Sequence, residues 1–179
     1  MTCIVGLVSD GKVYIGGDSA GVAGWQLTIR KDVKVFRNGD FLIGGTSSFR
    51  MLQLLHYAFT PPAYEPGTDL EKYMAVDFVN ALRQCFKDGG YAEKKNEQEE
   101  GGIFLVGFQG RLFYIGSDYQ VGEPLCGYEA VGCGAEVAIG SLYATPALSP
   151  RKRIEGALKA AEAHNAGVRS PFVIEELNS

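Results

Sequence analysis

The sequence predicts an α+β sandwich of two antiparallel sheets, each with its helices on one side. Two observations carry that prediction. Three short turn signals, Asp10-Gly11, Asn38-Gly39 and Gln109-Gly110, each join a pair of short β-rich runs. The elements follow the order hairpins, paired helices, hairpins, paired helices, which stacks each helix pair on its own sheet. At 179 residues, with 46% hydrophobic and 21% charged residues, a single domain over 1–179 is the expected size and composition.

Cys3–Val8 and Lys12–Gly16 form the first predicted hairpin, and Val33–Arg37 with Phe41–Gly44 the second. Ser47 and Ser48 offer N-caps to a helix whose Leu52, Leu55 and Phe59 share a face, and Pro61-Pro62 ends it. A second helix is predicted from about Asp69, with Met74, Phe78, Ala81, Leu82 and Cys85 at helical spacing. The polar stretch from Asp88 to Gly102, flanked by Gly pairs, reads as a loop. Its acidic part, Glu93 to Glu100, is most simply a solvated face, or more specifically a contact for a neighbouring subunit or an ATPase ring. Ile103–Phe108 and Arg111–Ile115 make the third hairpin. A short helix follows at Ala135–Ala144. Ser149-Pro150 then supplies a cap and a first-turn proline to a helix buried through Ile154, Ala157, Leu158 and Ala161. Pro171 precedes a closing strand at Phe172-Val173-Ile174. Leu54 and Tyr57 are expected on an exposed apolar face beside the first helix's buried stripe.

Charge and composition narrow the function classes. A net charge of −4 gives no basic field to steer nucleic acid or an anionic membrane. No apolar run reaches membrane-span length and no signal-peptide layout opens the chain, so a cytoplasmic protein is expected. The four cysteines, Cys3, Cys85, Cys126 and Cys133, show no CxxC pairing, which argues for free thiols without a metal site or a disulfide framework.

The residues with most chemistry stand near the start. If Met1 is removed, Thr2 carries a nucleophilic hydroxyl and a free α-amine, a group that titrates at about 7.7–8.0 when unperturbed and accepts a proton near neutrality. Asp18 in Ile15-Gly16-Gly17-Asp18-Ser19 and Lys34 in Asp32-Val33-Lys34-Val35-Phe36 follow at regular intervals. A lysine ammonium beside Thr2 would stabilise the developing alkoxide, and Asp18 is the carboxylate that a buried lysine needs. Cys3 alternates to the opposite strand face and would need a two-residue trim, which weighs against it as the nucleophile.

With these residues in place, the chain resembles the proteasome-type threonine peptidases, the proteasome β subunits and the bacterial heat-shock-locus V peptidase. Counted from Thr2, Asp18 and Lys34 fall at the family's spacings for its catalytic Asp and Lys. After a one-residue deletion Gly45 falls where its oxyanion-hole amide lies. Val131-Gly132-Cys133-Gly134 resembles the family's Gly-Ser-Gly motif, with Cys133 in the serine's place near the threonine amine. The resemblance covers the segment up to Ala58 and the one from Ala130 onward. Ala163–Gly167 departs from it, lacking the Asp and Ser of the proteasome β subunits, with His164 as a possible polar substitute.

The resemblance implies a four-layer sandwich of the N-terminal-nucleophile hydrolase type, two sheets between two helix layers. It implies a homo-oligomeric ring that cleaves peptides or unfolded proteins without a cofactor, often fed by a hexameric ATP-dependent unfoldase. A first specificity pocket involving Val22, small and apolar, also follows. Two other functions fit the same residues: a catalytically silent ring or assembly subunit that keeps Met1, and an N-terminal-nucleophile amidohydrolase acting on a small amide.

Overall fold

In the computed structural model of the chain, residues 1–91, 93–95 and 98–178 are described, and of 93–95 and 98–99 only the backbone. The chain opens with β1 (Cys3–Ser9), β2 (Lys12–Gly17), β3 (Ala20–Ala23), β4 (Gln26–Ile29), β5 (Val35–Asn38) and β6 (Phe41–Gly45). Helix α1 (Phe49–Tyr57) follows, then α2 (Leu70–Lys72), which widens into a π-helical stretch at Tyr73–Phe78 and continues as α3 (Val79–Asp88). Next come β7 (Glu93–Lys95), β8 (Gln98–Glu100), β9 (Phe104–Phe108), β10 (Arg111–Ile115), β11 (Val121–Gly122) and β12 (Tyr128–Gly132). Helices α4 (Ala135–Ala144) and α5 (Pro150–His164) lead to β13 (Val173–Leu177).

The turn chemistry decided the pairing. Asp10 and Gly11 both adopt positive φ (51° and 73°), the conformation a two-residue hairpin needs, and they set Ser9 opposite Lys12. Gln109 and Gly110 repeat it (49° and 70°) between β9 and β10. Two antiparallel sheets result, one in the order β12-β1-β2-β13 and the other β11-β10-β9-β6-β5.

Strand alternation distributes the core. Cys3, Val5 and Leu7 of β1 point toward Ile154, Ala157, Leu158 and Ala161 of α5. The intervening Ile4 joins Val13 and Ile15 against Val35, Leu42, Leu105 and Leu112 of the second sheet. On that sheet's other side, Phe104, Val106 and Phe108 pack with Met51, Leu55, Met74, Phe78 and Phe86 from the first helices. Each of the buried Val, Leu, Ile, Met and Phe side chains among these contributes about 1.5–3 kcal/mol.

Three expectations need correction. The stretch Asp88–Gly102 is not a plain loop: β7 and β8 form a hairpin within it, with Glu93 opposite Glu100. The side chains of Glu93–Glu99, on which the contact reading of that stretch rests, lie outside the described residues. Ala20–Ile29, for which the sequence predicted no element, is a separate two-stranded ribbon of β3 and β4. Leu54 is buried at 4% exposure, because the first helix presents it to the core, whereas Tyr57 is exposed at 78%. Strand β5 begins at Val35, so Lys34 stands just ahead of the ladder rather than inside it.

Candidate active site

Neighbouring strands of one sheet deliver three of the predicted residues to one place. Cys3 lies opposite Gly132 on one side of β1, and Ile4 opposite Gly17 on the other. Thr2, Asp18 and Cys133, each one residue beyond those pairs, converge at that end of the sheet. Lys34 arrives from the second sheet. Gly17 makes its approach possible, since a Cβ there would sit 2.8 Å from Ile4 Cδ1 and 2.9 Å from Val35 Cγ2.

Lys34 Nζ donates to Thr2 Oγ1 at 2.9 Å and to Asp18 Oδ1 at 2.9 Å. The Lys34 and Asp18 side chains are 2% and 0% exposed, so the pair is a buried salt bridge. Asp18 accepts three backbone N–H groups as well: Cys3 on Oδ1 at 3.0 Å, with Ala20 at 2.9 Å and Arg169 at 3.2 Å on Oδ2. Every neighbour is a donor, which suits the acceptor-only oxygens of a carboxylate. Burial pulls the Lys34 pKa below its ordinary value, with Asp18 opposing the shift. Among the described residues the buried polar side chains are Thr2, Asp18, Ser19, Lys34 and Thr46, all within this neighbourhood. Polar groups are costly to bury, and their concentration in one spot marks a built site.

Cys133 sits in contact with Thr2. The Thr2 N–H donates to Cys133 Sγ at 3.3 Å, and Sγ lies 3.4 Å from the Thr2 carbonyl oxygen. Gly132 permits this: its φ is +98°, and a Cβ there would fall 2.2 Å from the same carbonyl oxygen. Met1 precedes the site, with Thr2 Oγ1 donating to its carbonyl at 2.5 Å, and its side chain lies over Gly167.

Two expectations shift here. Gly45 ends β6 beside the site, but its N–H donates to the Lys34 carbonyl at 3.0 Å and is not free to receive an oxyanion. The Ser47 N–H, two residues on, makes no hydrogen bond among the described residues, and Ser47 is held at a φ of +68° unusual for a non-glycine residue. His164 is exposed, and it is Asn165 that contacts Cys133, through Sγ to Oδ1 at 3.1 Å and Nδ2 to the Cys133 carbonyl at 2.7 Å. Cys3 faces the helices, and burial pushes its thiol up to about 12, with Asp18 adding to the shift; it is inert.

A cleft of about 500 Å³ opens beside the site between the β3–β4 ribbon and α1, lined by Val22, Ile29, Arg30, Asp32 and Phe49 among others. Its floor differs from the small apolar lining expected. The Arg30 guanidinium stacks 3.9 Å above the Phe49 ring and is held by Asp32 through two contacts of 2.7 Å. That fork keeps the Asp32 carboxyl below its ordinary range. Phe49 in turn lies 5.7 Å from Lys34 Nζ, so the cleft adjoins the Thr2–Lys34–Asp18 cluster. Among the described residues no group of three or more His, Cys, Asp or Glu side chains converges to hold a metal ion, and no helix is long and apolar enough to cross a membrane.

Neither the models of known protein families nor the curated proteins yield a match to this sequence. Solved structures do. BPH of Thiobacillus denitrificans, in complex with epoxomicin, superposes with a TM-score of 0.81 at 20% identity, covering 99% of this chain and 98% of that one. BPH alone gives 0.81 at 19% identity with the same coverage. Eukaryotic HslV from Trypanosoma brucei gives 0.70 at 18% identity, covering 99% of this chain and all of the other. The likeness extends over nearly the whole chain, and at these identities it is a likeness of fold.

Proposed function

We propose that this chain, which has the proteasome-type fold of HslV, is a threonine peptidase of the N-terminal-nucleophile class, a single four-layer domain over 1–179. The observation that carries the proposal is the buried Lys34 ammonium, within hydrogen-bond distance of both Thr2 Oγ1 and Asp18. A surface lysine has no reason to be desolvated against a hydroxyl, whereas a nucleophile gains from it.

Once Met1 is removed, the Thr2 α-amine becomes the base. Thr2 Oγ1 bonds to the substrate carbonyl carbon while its proton passes, through a water, to that amine. The Lys34 ammonium stabilises the oxygen as it loses the proton, and Asp18 holds the ammonium in place. The tetrahedral oxyanion collapses as the leaving amine takes the proton, and water hydrolyses the remaining ester. The Ser47 N–H, in place of Gly45's, is the backbone donor for the oxyanion, a type of contact whose loss costs about 10²–10³ in rate. While Met1 remains, the nitrogen of Thr2 is an amide and cannot serve as base. Cys133 borders the site as the acceptor of the Thr2 N–H.

The proposal extends to assembly: a cytoplasmic ring of copies of this chain, acting on peptides or unfolded proteins, with an ATP-dependent unfoldase as the partner that delivers them. The test compares protein that begins at Thr2 with protein that keeps Met1. Epoxomicin, held by BPH in one compared structure, is the probe, with intact and peptide mass as readouts. Activity on a short fluorogenic peptide and an adduct at Thr2 should both track the processed fraction. A fully processed sample that neither cleaves nor forms the adduct overturns the proposal.

A further inference from the structure

We infer that Asn165 is a positioning residue, one that turns the Cys133 thiol so that its sulfur accepts a hydrogen bond from the Thr2 nitrogen and leaves that nitrogen's lone pair free. The inference rests on the threonine-peptidase reading above and names a control on its base.

The orientation of the Asn165 carboxamide is fixed by two partners of opposite kind. The Gly167 N–H, at 2.9 Å, needs an oxygen, and the Cys133 carbonyl, at 2.7 Å, needs the NH₂. A flipped amide would set donor against donor and acceptor against acceptor. The atom facing Cys133 Sγ at 3.1 Å is therefore Oδ1, which only accepts. The thiol has one proton and three polar neighbours: Asn165 Oδ1, the Thr2 carbonyl oxygen at 3.4 Å and the Thr2 nitrogen at 3.3 Å. Directing the S–H at the nearest acceptor leaves sulfur lone pairs toward Thr2. Residues 165–169 hold the arrangement from behind, since the Asn165 carbonyl accepts from Arg169 Nη1 at 3.1 Å while the Arg169 N–H anchors Asp18.

The consequence concerns proton affinity. A thiol that donated to the amine would occupy the lone pair needed to take the Thr2 proton. A carboxylate in Asn165's place would instead stabilise the protonated amine. The carboxamide does neither. The other charged and titratable groups around Thr2 are Lys34 ahead of β5, Asp18 after β2 and Cys3 in β1. Arg169 turns its guanidinium toward the carbonyls of Asn165 and Val168. Those groups remain in place when Asn165 alone is changed.

The experiment measures, on folded protein beginning at Thr2, the rate of Thr2 α-amine acetylation by acetic anhydride from about pH 6 to 9, read by peptide mass spectrometry. Peptide hydrolysis is followed in parallel. Asn165→Asp should raise the midpoint by about one unit, slowing acetylation roughly tenfold at neutral pH, because a carboxylate comes within about 6 Å of the amine. Asn165→Ala frees the S–H to turn toward the amine and should move the midpoint the other way, with kcat reduced and KM unchanged. Cys133→Ser should reproduce the wild-type midpoint in the presence of Asn165. Should Asn165→Asp fail to fold, Asn165→Ala decides alone. Midpoints that coincide with wild type in every folded variant overturn the inference. An inactive wild type whose amine still shifts as described leaves the inference standing and removes the peptidase reading instead.

Discussion

Replacing Asp18 by Asn removes one charge and almost no volume, and the structure sets what that should cost. All four partners of the carboxylate are donors: Lys34 Nζ, and the N–H groups of Cys3, Ala20 and Arg169. An asparagine keeps one acceptor oxygen and must aim its NH₂ at donors whichever way it turns. Lys34 is left as a buried ammonium without a counter-charge, a loss of about 3–5 kcal/mol, and the displaced N–H groups add about 1–3 kcal/mol where they stay unsatisfied. At 2% and 0% side-chain exposure neither partner is screened by solvent. Lys34 limits the damage by shedding its proton, since burial already lowers its pKa. The net loss should be about 4 kcal/mol near neutrality, shrinking as pH rises and the lysine becomes neutral. Urea unfolding at fixed protein concentration reads this as a drop in midpoint of roughly 2 M at constant slope. Asp18→Asn combined with Lys34→Met should be more stable than Asp18→Asn alone, because the stranded charge is gone. A single-variant loss below about 1 kcal/mol, or simple additivity in the pair, would refute the buried-pair argument.

Thr2→Ala and Lys34→Ala should each abolish hydrolysis of a fluorogenic peptide in folded protein, and the double variant should be no worse, as expected of residues acting as one unit; wild-type turnover in Thr2→Ala removes the assignment. The profile of kcat/KM against pH should be bell-shaped. Its acid limb belongs to the α-amine near 7.7–8.0; its basic limb falls below the ordinary lysine value of 10.5, because burial disfavours the ammonium. Gly132→Ala, at φ +98° with its Cβ 2.2 Å from the Thr2 carbonyl oxygen, should lose about 1–3 kcal/mol and epoxomicin reactivity together. Gly127→Ala, at φ +73° in open space, should lose stability without affecting the site. Light scattering should report a multiple of the 19.3 kDa chain mass at micromolar concentration, and a monomer there contradicts the ring.

Much of the architecture was legible because local chemistry and tertiary packing agree. Asp10-Gly11 allows little but a tight hairpin, and the stripe of Ile154, Ala157, Leu158 and Ala161 is the face α5 buries. The β7–β8 hairpin was not legible, since its strands are built from Glu, Lys and Gln, residues depleted in sheets. The β3–β4 ribbon was missed for a related reason: its outer residues, Leu27 and Ile29 among them, are half-exposed, and no buried face sets a period. That Thr2, Asp18 and Lys34 come together could be anticipated from their spacing, because the first hairpin sets Thr2 beside Asp18 and the next strand of the second sheet begins just after Lys34. The backbone donor we propose for the oxyanion could not, since in Gly44-Gly45-Thr46-Ser47 only the folded chain shows which N–H is already bonded. Asn165 was hidden because its partner lies across the fold, at the turn between β12 and α4.

The Thr2–Lys34 contact crosses the seam between the two sheets, with the hydroxyl on one slab and the ammonium on the other. Its 2.9 Å length is therefore a gauge of how closely the slabs lie. Gly17, where a Cβ would meet Val35 at 2.9 Å, and Gly44, where one would meet Ile15 at 2.6 Å and Ile4 at 2.8 Å, act as the spacers that set that gap. Swelling the seam by one methyl group at either glycine would lift the lysine away from the hydroxyl while every residue of the site kept its identity. Damage of this kind would appear first in turnover and only later in melting temperature. Variants that look like faults of chemistry should accordingly be sought among small, silent positions between the sheets.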